Sequence, residues 1–349
     1  MRIKQAAAVL AVFALLTFLL PFLILLFNSK GTDTSLQYSA PESSSARVSQ
    51  EEAFNGSYLD EPVLLYDCGT DSVIQVTIAE YLIGAVSSEM PASYTAEAFK
   101  AQAVACHSYL LASRAVNAQK PEMQGGWISV NPQKHEGYIT EDIQKIMWGD
   151  SFAENRARIE QAVNEVLDLV AVYNGEAALT TYYAISSGRT QSCESVWEKP
   201  LPYLISVDST LDLTAEQYET TVSFTPQEIY DRLSVNFAGL DLGGEPENWL
   251  KSPVLNDAGY AEEIVTQNGV TISAMDFRTA LGLRSTAMDI VYENNLFNIT
   301  CRGYGHGVGM SQYGANAMAQ CGKSCEEILL HYYPGITLAH IPASPQNGV

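Results

Sequence analysis

Thr77-Ile78-Ala79-Glu80-Tyr81-Leu82-Ile83-Gly84-Ala85-Val86-Ser87-Ser88-Glu89-Met90-Pro91 sets the pattern for the fold. Thr77 and Glu80 have the T-x-x-E spacing of a capping box, which satisfies two orphan amides at a helix start. The apolar run that follows predicts a helix through about Ser87, and Glu89-Met90-Pro91 ends it. Upstream, Val63–Tyr66 and Val73–Val76 predict two strands around a Cys68-Gly69-Thr70-Asp71 turn. Downstream, Ala98, Phe99, Ala101, Val104, Ala105 and Leu111 give a helical period to a longer helix over 96–118.

The same alternation of hairpins and helices continues. Residues 119–150 give no clear element, and a helix fits Phe152–Leu167. Leu169–Tyr173, the turn Asn174-Gly175 and Ala177–Ile185 predict a type I′ hairpin, and 186–210 reads as loop. Thr225-Pro226-Gln227-Glu228 is a second capping box, opening a helix to about Leu233. A second hairpin surrounds Asn268-Gly269, and Ser273 caps a short helix to about Leu281. Strands Asp289–Tyr292 and Phe297–Cys301 follow, then a Gly-rich loop from Gly303 to Gly309. Helices over 310–320 and 325–331 close the domain. Hairpins with helices in separate blocks predict an α+β class, with antiparallel pairing and a groove, rather than a doubly wound parallel sheet.

The ends set the expected organisation. Arg2 and Lys4 precede an uncharged run from Ala6 to Phe27, 22 residues long, and a bilayer core needs about 20 in a helix. No small-x-small cleavage site closes the run. Residues 1–5 are therefore expected in the cytoplasm, 6–27 as a transmembrane anchor and the rest outside. Residues 28–61 are Ser-rich and read as a flexible linker, 62–340 as the ectodomain and 341–349 as a tail. The net charge is −21, from 40 acidic and 19 basic residues. That field argues against nucleic acid as a partner, and any anionic polymer must be gripped locally. Of six cysteines, Cys321 and Cys325 are spaced for a disulfide. Free thiols are the alternative.

Four places could carry chemistry. Glu89 lies at a helix exit, where the dipole and apolar neighbours raise a carboxyl pKa, as a general acid needs. A solvated glutamate would have the same local sequence. Lys100, His107 and Arg114 are spaced by seven, so they share a helical face beside Gln102 and make a cationic stripe or an ordinary solvated face. Ser186-Ser187-Gly188-Arg189-Thr190 suits a sugar-binding loop, a turn, or a serine nucleophile, although no G-x-S-x-G elbow is present. Gly303-Tyr304-Gly305-His306-Gly307-Val308-Gly309-Met310-Ser311-Gln312-Tyr313-Gly314-Ala315 brings backbone close to something. It offers Tyr304, His306, Gln312 and Tyr313 at a loop-to-helix junction, without the lysine of a phosphate loop. The five histidines form no H-E-x-x-H, and no C-x-x-C is present, so no metal site is expected.

These motifs resemble the stage II sporulation protein D family and its amidase-modifier relatives. The resemblance is carried by Glu80 to Pro91, Glu97 to Ala105, Ser186-Ser187-Gly188, Gly303 to Ala315 and His331-Tyr332-Tyr333-Pro334-Gly335, in order across roughly 62–340. It implies a lytic transglycosylase acting on peptidoglycan glycan strands freed of stem peptides, with Glu89 catalytic. The residues expected around the substrate are Lys100, Gln102, His107, Ser186, Ser187, Gly188, Tyr304, His306, Gln312 and Tyr313. The implied setting is engulfment in sporulation, on the mother-cell membrane facing the forespore. The implied partners are a membrane-anchored peptidoglycan amidase or endopeptidase and a membrane scaffold. A wall-binding protein that stimulates a partner amidase without cutting is the alternative. A serine hydrolase stands further off. Two positions depart from the family. His107 stands where members usually have Arg, and 119–150 has His135 but none of the Cys through which some members hold zinc, so the metal is not carried over.

Overall fold

The structure is a computed structural model that describes residues 59–197, 200–237 and 240–342. The expected anchor 6–27, nearly all of the linker and residues 343–349 of the tail lie outside the described residues. Among the described residues no helix is long and apolar enough to cross a membrane. The residues read as a single ectodomain divide into two compact units. Among the described residues, unit 1 comprises 59–92, Ala103–Leu179 and 336–342. Unit 2 comprises Ser93–Gln102 and Thr180–Gly335.

Unit 1 begins with strands β1 (Val63–Asp67) and β2 (Ser72–Val76), paired antiparallel with Val63 opposite Val76. Asp71 takes the left-handed conformation that the turn requires. Helix α1 (Ile78–Glu89) follows with its capping box formed: Thr77 N–H donates to Glu80 Oε2 at 2.8 Å, and Glu80 N–H to Thr77 Oγ1 at 3.2 Å. The bond from the Thr77 backbone holds the Glu80 carboxyl below its ordinary value. Helix α2 (Ala96–Asn117) has its residues to Gln102 in unit 2 and the rest in unit 1. The segment without clear sequence signals holds β3 (Ile128–Val130), parallel to β1, and α3 (Glu141–Trp148). Then come α4 (Phe152–Glu165), β4 (Leu169–Tyr173) and β5 (Glu176–Ala177). The C-terminal strand Thr337–His340 pairs antiparallel with β4. Leu65, Leu82, Val86, Ile139, Ile159 and Val163 are buried in this unit.

Gly84 sets the depth at which α1 seats. A Cβ there would lie 2.3 Å from Tyr138 Cε2 and 2.6 Å from the Ile139 carbonyl oxygen. The bare backbone instead lets Ile139 N–H donate to the Gly84 carbonyl at 3.2 Å, and Tyr81 stacks on Tyr138 with ring centroids 6.5 Å apart.

In unit 2, β6 (Tyr182–Tyr183) leads to α5 (Cys193–Trp197), β7 (Glu219–Phe224) and α6 (Pro226–Asn236). Strands β8 (Val254–Leu255), β9 (Ala261–Val265) and β10 (Thr271–Ser273) form one sheet in the order β10-β9-β8. Helix α7 (Ala274–Leu281) precedes β11 (Met288–Glu293) and β12 (Leu296–Arg302), which form a second sheet with β7 in the order β11-β12-β7. Last come β13 (Met310–Ser311), α8 (Gln312–Gln320) and α9 (Cys325–Tyr332). Phe224, Ile229, Leu233, Ile264, Phe277 and Phe297 are among the residues of this unit's apolar core.

One expectation needs correction. The strand expected over 177–185 stops after Ala177, with one more bond from Ala178 N–H to the Ala171 carbonyl at 2.9 Å. Beyond it, Tyr182 and Tyr183 pair parallel with Met310 and Ser311. Pairing distant in sequence overrides the local hairpin register. The hairpin expected around Asn268-Gly269 forms, with β9 and β10 antiparallel and Gly269 left-handed. Asn294 (51°) and Asn295 (60°), between β11 and β12, both take positive φ, as Asn174 and Gly175 do after β4, and type I′ requires this of both residues. No disulfide joins Cys321 and Cys325: Cys321 is exposed and Cys325 is buried at the start of α9, where burial pushes its thiol up to about 12.

Gly84→Ala should destabilise the protein by about 1–3 kcal/mol through overpacking, more than the ~1 kcal/mol expected for loss of the cap in Thr77→Ala. Denaturant midpoints of the two variants measure the difference. A neutral Gly84→Ala would show that Tyr138 yields freely.

Candidate active site

Glu89 is the last residue of α1. The helix ends as Met90 turns extended, its N–H still donating to the Val86 carbonyl and its side chain buried. Pro91 cannot continue the ladder. The exit is tied down by Arg158 of α4, whose Nη1 donates to the Ala92 carbonyl at 2.6 Å. Tyr81, two turns earlier on α1, is fully buried; burial, then the charges of Cys106 and Glu89, hold its phenol well above the ordinary value. Glu89 itself is partly exposed.

The cationic stripe expected along α2 is not present as three available charges. Lys100 Nζ bonds Glu97 at 2.7 Å, and the other oxygen of Glu97 accepts the Cys325 N–H at the start of α9 at 2.7 Å. Arg114 pairs with Glu61 at 2.6 Å and lies over the Trp127 ring. His107 is 1% exposed, and burial pushes its pKa down to about 4, so the ring is neutral. A direct substrate contact by His107 does not fit that enclosure. Gln102 is also fully buried and accepts from Gln312 Nε2 at 3.5 Å, so these two amides brace each other inside unit 2.

The Ser186-Ser187-Gly188 loop and the Gly-rich loop do come together in unit 2. Tyr304 and Ile185 exchange backbone hydrogen bonds of 2.7 and 3.0 Å. Gly309, left-handed, lies so close to the Thr181 carbonyl that no side chain would fit there. A buried carboxylate the sequence reading missed sits beneath: Asp212, in the 3-10 turn Thr210–Thr214. Its Oδ1 accepts the Ser186 N–H at 2.8 Å and the Ser311 hydroxyl, and its Oδ2 accepts the Ser209 hydroxyl at 2.6 Å. Ser209 also bonds the Tyr332 hydroxyl at 2.8 Å, and Ser311 caps α8 by accepting the Gly314 N–H at 3.1 Å. A Cβ at Gly314 would meet the Tyr332 hydroxyl and Asp212. Burial pushes the Asp212 pKa up to about 6 against the opposing pull of these donors. A lone Asp among loop residues carries no motif that marks such a position.

His306 is not a free base. Val308 N–H donates to its Nδ1 at 3.1 Å, so Nε2 carries the hydrogen and donates to the Tyr182 carbonyl at 3.1 Å. The ring lies between Tyr183 and Trp197, with centroids at 5.5 and 5.2 Å, and desolvation there drives its pKa down to about 3. Ser186 is buried and its Oγ accepts the Gly188 N–H at 3.2 Å, an arrangement for loop geometry and not for nucleophilic attack. Ser187 N–H donates to the Tyr260 hydroxyl at 3.1 Å. Tyr304 and Tyr313 keep surface exposure, and the Tyr313 hydroxyl reaches Thr214 Oγ1 at 3.3 Å.

The zinc of some members of the resembled family does not fit the residues present. His135 is exposed at the left-handed end of a 3-10 turn. Among the described residues no group of three or more His, Cys, Asp or Glu is placed to hold a metal ion.

Known proteins bear on this arrangement. A family model described as Stage II sporulation protein matches residues 66–173. Over 343 residues the chain is 31% identical to Stage II sporulation protein D of Bacillus subtilis (strain 168), covering 97% of each chain. Over 277 residues it is 33% identical to Stage II sporulation protein D of Bacillus amyloliquefaciens, covering 79% of this chain and 78% of the relative. A Bacillus subtilis protein named Amidase enhancer is 27% identical over 305 residues, covering 74% of this chain and 40% of that relative.

Asp212 gives a pH test. Its folded value near 6 exceeds the ordinary 3.8, so the native state keeps the proton to higher pH than the unfolded chain does. The resulting stabilisation is present in acid and lost as pH rises through about 6. Asp212→Asn cannot titrate. The stability of wild type relative to this variant should therefore fall between pH 4 and 7 in denaturant titrations; a flat difference would contradict the shift.

Proposed function

Because the chain belongs to the stage II sporulation protein D family, we propose that it is a cell-wall enzyme of sporulation, a lytic transglycosylase that cuts stem-peptide-free glycan strands with Glu89 as acid and base. The observation that carries the reading is the placement of Glu89. It ends a helix whose seat is fixed by Gly84 on Tyr138, and Arg158 holds the chain three residues on. A carboxyl so held has a defined position, which general acid–base catalysis requires.

One carboxyl suffices for this chemistry. As an acid, Glu89 protonates the glycosidic oxygen between N-acetylmuramic acid and N-acetylglucosamine, and the C1–O bond breaks. As a base, it takes the proton of the muramoyl C6 hydroxyl while that oxygen bonds C1. The product is a 1,6-anhydro ring and the carboxyl ends as it began. No water enters, so the second carboxyl of ordinary glycoside hydrolases is not needed. Asp212, the other carboxyl singled out by its surroundings, is committed to three donors within unit 2 and has no role in the step. Within unit 2, the two paired loops carry Tyr304 and Tyr313 at the surface, aromatic groups with hydroxyls of the kind sugars favour.

The setting belongs to the same proposal. An uncleaved span over 6–27 would hold the enzyme on the mother-cell membrane facing the forespore. There it would act beside an amidase or endopeptidase that strips stem peptides and a membrane scaffold. A second reading has support of its own: the relative named Amidase enhancer, together with a buried neutral His107 where the family usually carries Arg, fits a wall-binding protein that stimulates a partner amidase.

Glu89→Gln keeps the shape and removes the proton. It should lower the rate of release of anhydromuramoyl-ended fragments from stem-peptide-free glycan by about 10²–10⁴-fold, with retained binding, by mass spectrometry of timed digests. Wild-type rates in the variant would remove Glu89 from the mechanism. Binding and amidase stimulation with no cleavage by either protein would favour the second reading.

A further inference from the structure

Arg284 is placed unlike the arginines that form ion pairs. Arg302, in the same unit, bonds both Glu219 and Asp289. Arg284 has no carboxylate partner among the described residues, in a chain with 40 acidic against 19 basic residues. Its guanidinium lies 4.3 Å from the centroid of the Tyr304 ring. One Nη1 hydrogen goes to Gln217 Oε1 at 3.1 Å, and its Nε–H is buried without an acceptor. A guanidinium has five N–H donors, so this one is positioned by its neighbours without being neutralised by them.

The backbone joins this pair to both candidate loops. Gly305 N–H donates to the Arg284 carbonyl at 3.0 Å, and Tyr304 is doubly bonded to Ile185, the residue before Ser186. Tyr218, next to Gln217, donates its hydroxyl to the Ser187 carbonyl at 3.0 Å, and its own carbonyl accepts the Gly303 N–H at 2.8 Å. Tyr304 is 47% exposed, so the pair lies at the surface. A planar cation held on an aromatic face keeps its charge and presents a rigid fork, which matches a carboxylate better than a lysine does. In a strongly acidic protein such a cation is a local place for an anion.

We propose that Arg284, seated on Tyr304, is a subsite for a carboxylate-bearing sugar. On the reading given above, the carboxylate is the lactyl group of a muramoyl residue whose stem peptide has been removed. An attached peptide turns that carboxylate into an amide and takes away the charge the guanidinium would bind. Arg284 is therefore a specificity residue, selecting stripped glycan over peptide-bearing glycan.

The test is equilibrium binding by the full-length protein carrying Glu89→Gln, so that no cleavage intervenes. The probes are stem-peptide-free glycan oligomers and the same oligomers with their lactyl carboxylates converted to methylamides. The parent protein should prefer the carboxylate form. Adding Arg284→Gln should weaken binding of that form roughly 10- to 100-fold and leave the methylamide form within about twofold. Arg284→Lys should recover part of the preference. Equal weakening on both probes, or no change on either, would overturn the subsite and leave Arg284 a brace for the loops. Should Arg284→Gln fail to fold, the parent's preference and the Arg284→Lys variant decide alone, and a parent without preference overturns the proposal. Preference without cleavage by the protein with Glu89 intact would defeat the transglycosylase reading and keep the subsite. Cleavage without preference would do the reverse.

Discussion

A carboxylate buried in unit 2 governs the shape of its candidate loops. Asp212 accepts a backbone N–H from the Ser186 loop, a hydroxyl from the residue that caps α8, and a hydroxyl that is itself bonded to α9. Removing such a carboxylate would leave several donors unsatisfied where water has little access, and that loss costs more than any one hydrogen bond gains. Gly314 is bare because this cluster occupies the space its side chain would need. The opposing effects of burial and donors also explain why Asp212 holds its proton more tightly than an ordinary aspartate while serving as an acceptor.

Unit 1 has a simpler constraint. Glu89 is positioned by packing: the helix that ends on it begins at a reciprocal cap and seats on Tyr138 through a glycine. Of the residues expected to contact substrate, the structure divides them by burial. His107, Gln102 and Ser186 lie inside and Gln312 nearly so, whereas Tyr304 and Tyr313 reach the surface. His306 has both ring nitrogens engaged with backbone. The motif residues thus include a layer that shapes the loops and a smaller set able to touch a ligand.

Much of this was legible in local sequence because local physics decides it. Thr77 and Glu80, and Thr225 and Glu228, form their capping boxes as their spacing requires. Asn174-Gly175 takes two left-handed residues in the turn after β4. What was not legible depends on distant partners. Tyr182 and Tyr183 leave the predicted hairpin for Met310 and Ser311, more than a hundred residues on, and no local period announces that choice. Strand β7 was missed although Thr220, Thr221 and Val222 are β-branched, because Glu219 to Ser223 shows no clean alternation; it gains its pairing from β12. Asp212 and Arg284 are single charged residues in loops, and their roles exist only once their neighbours are in place.

If, as proposed, one carboxyl cuts the glycan without water, the fate of solvent oxygen tests that most directly. Stem-peptide-free glycan would be digested by the full-length protein in ¹⁸O-water and the new muramoyl ends weighed. The account predicts anhydro ends lighter by one water than reducing ends, with no ¹⁸O incorporated at cleavage. Reducing ends carrying ¹⁸O at C1 from the moment of cleavage would contradict it and require a hydrolytic mechanism with a second activating group.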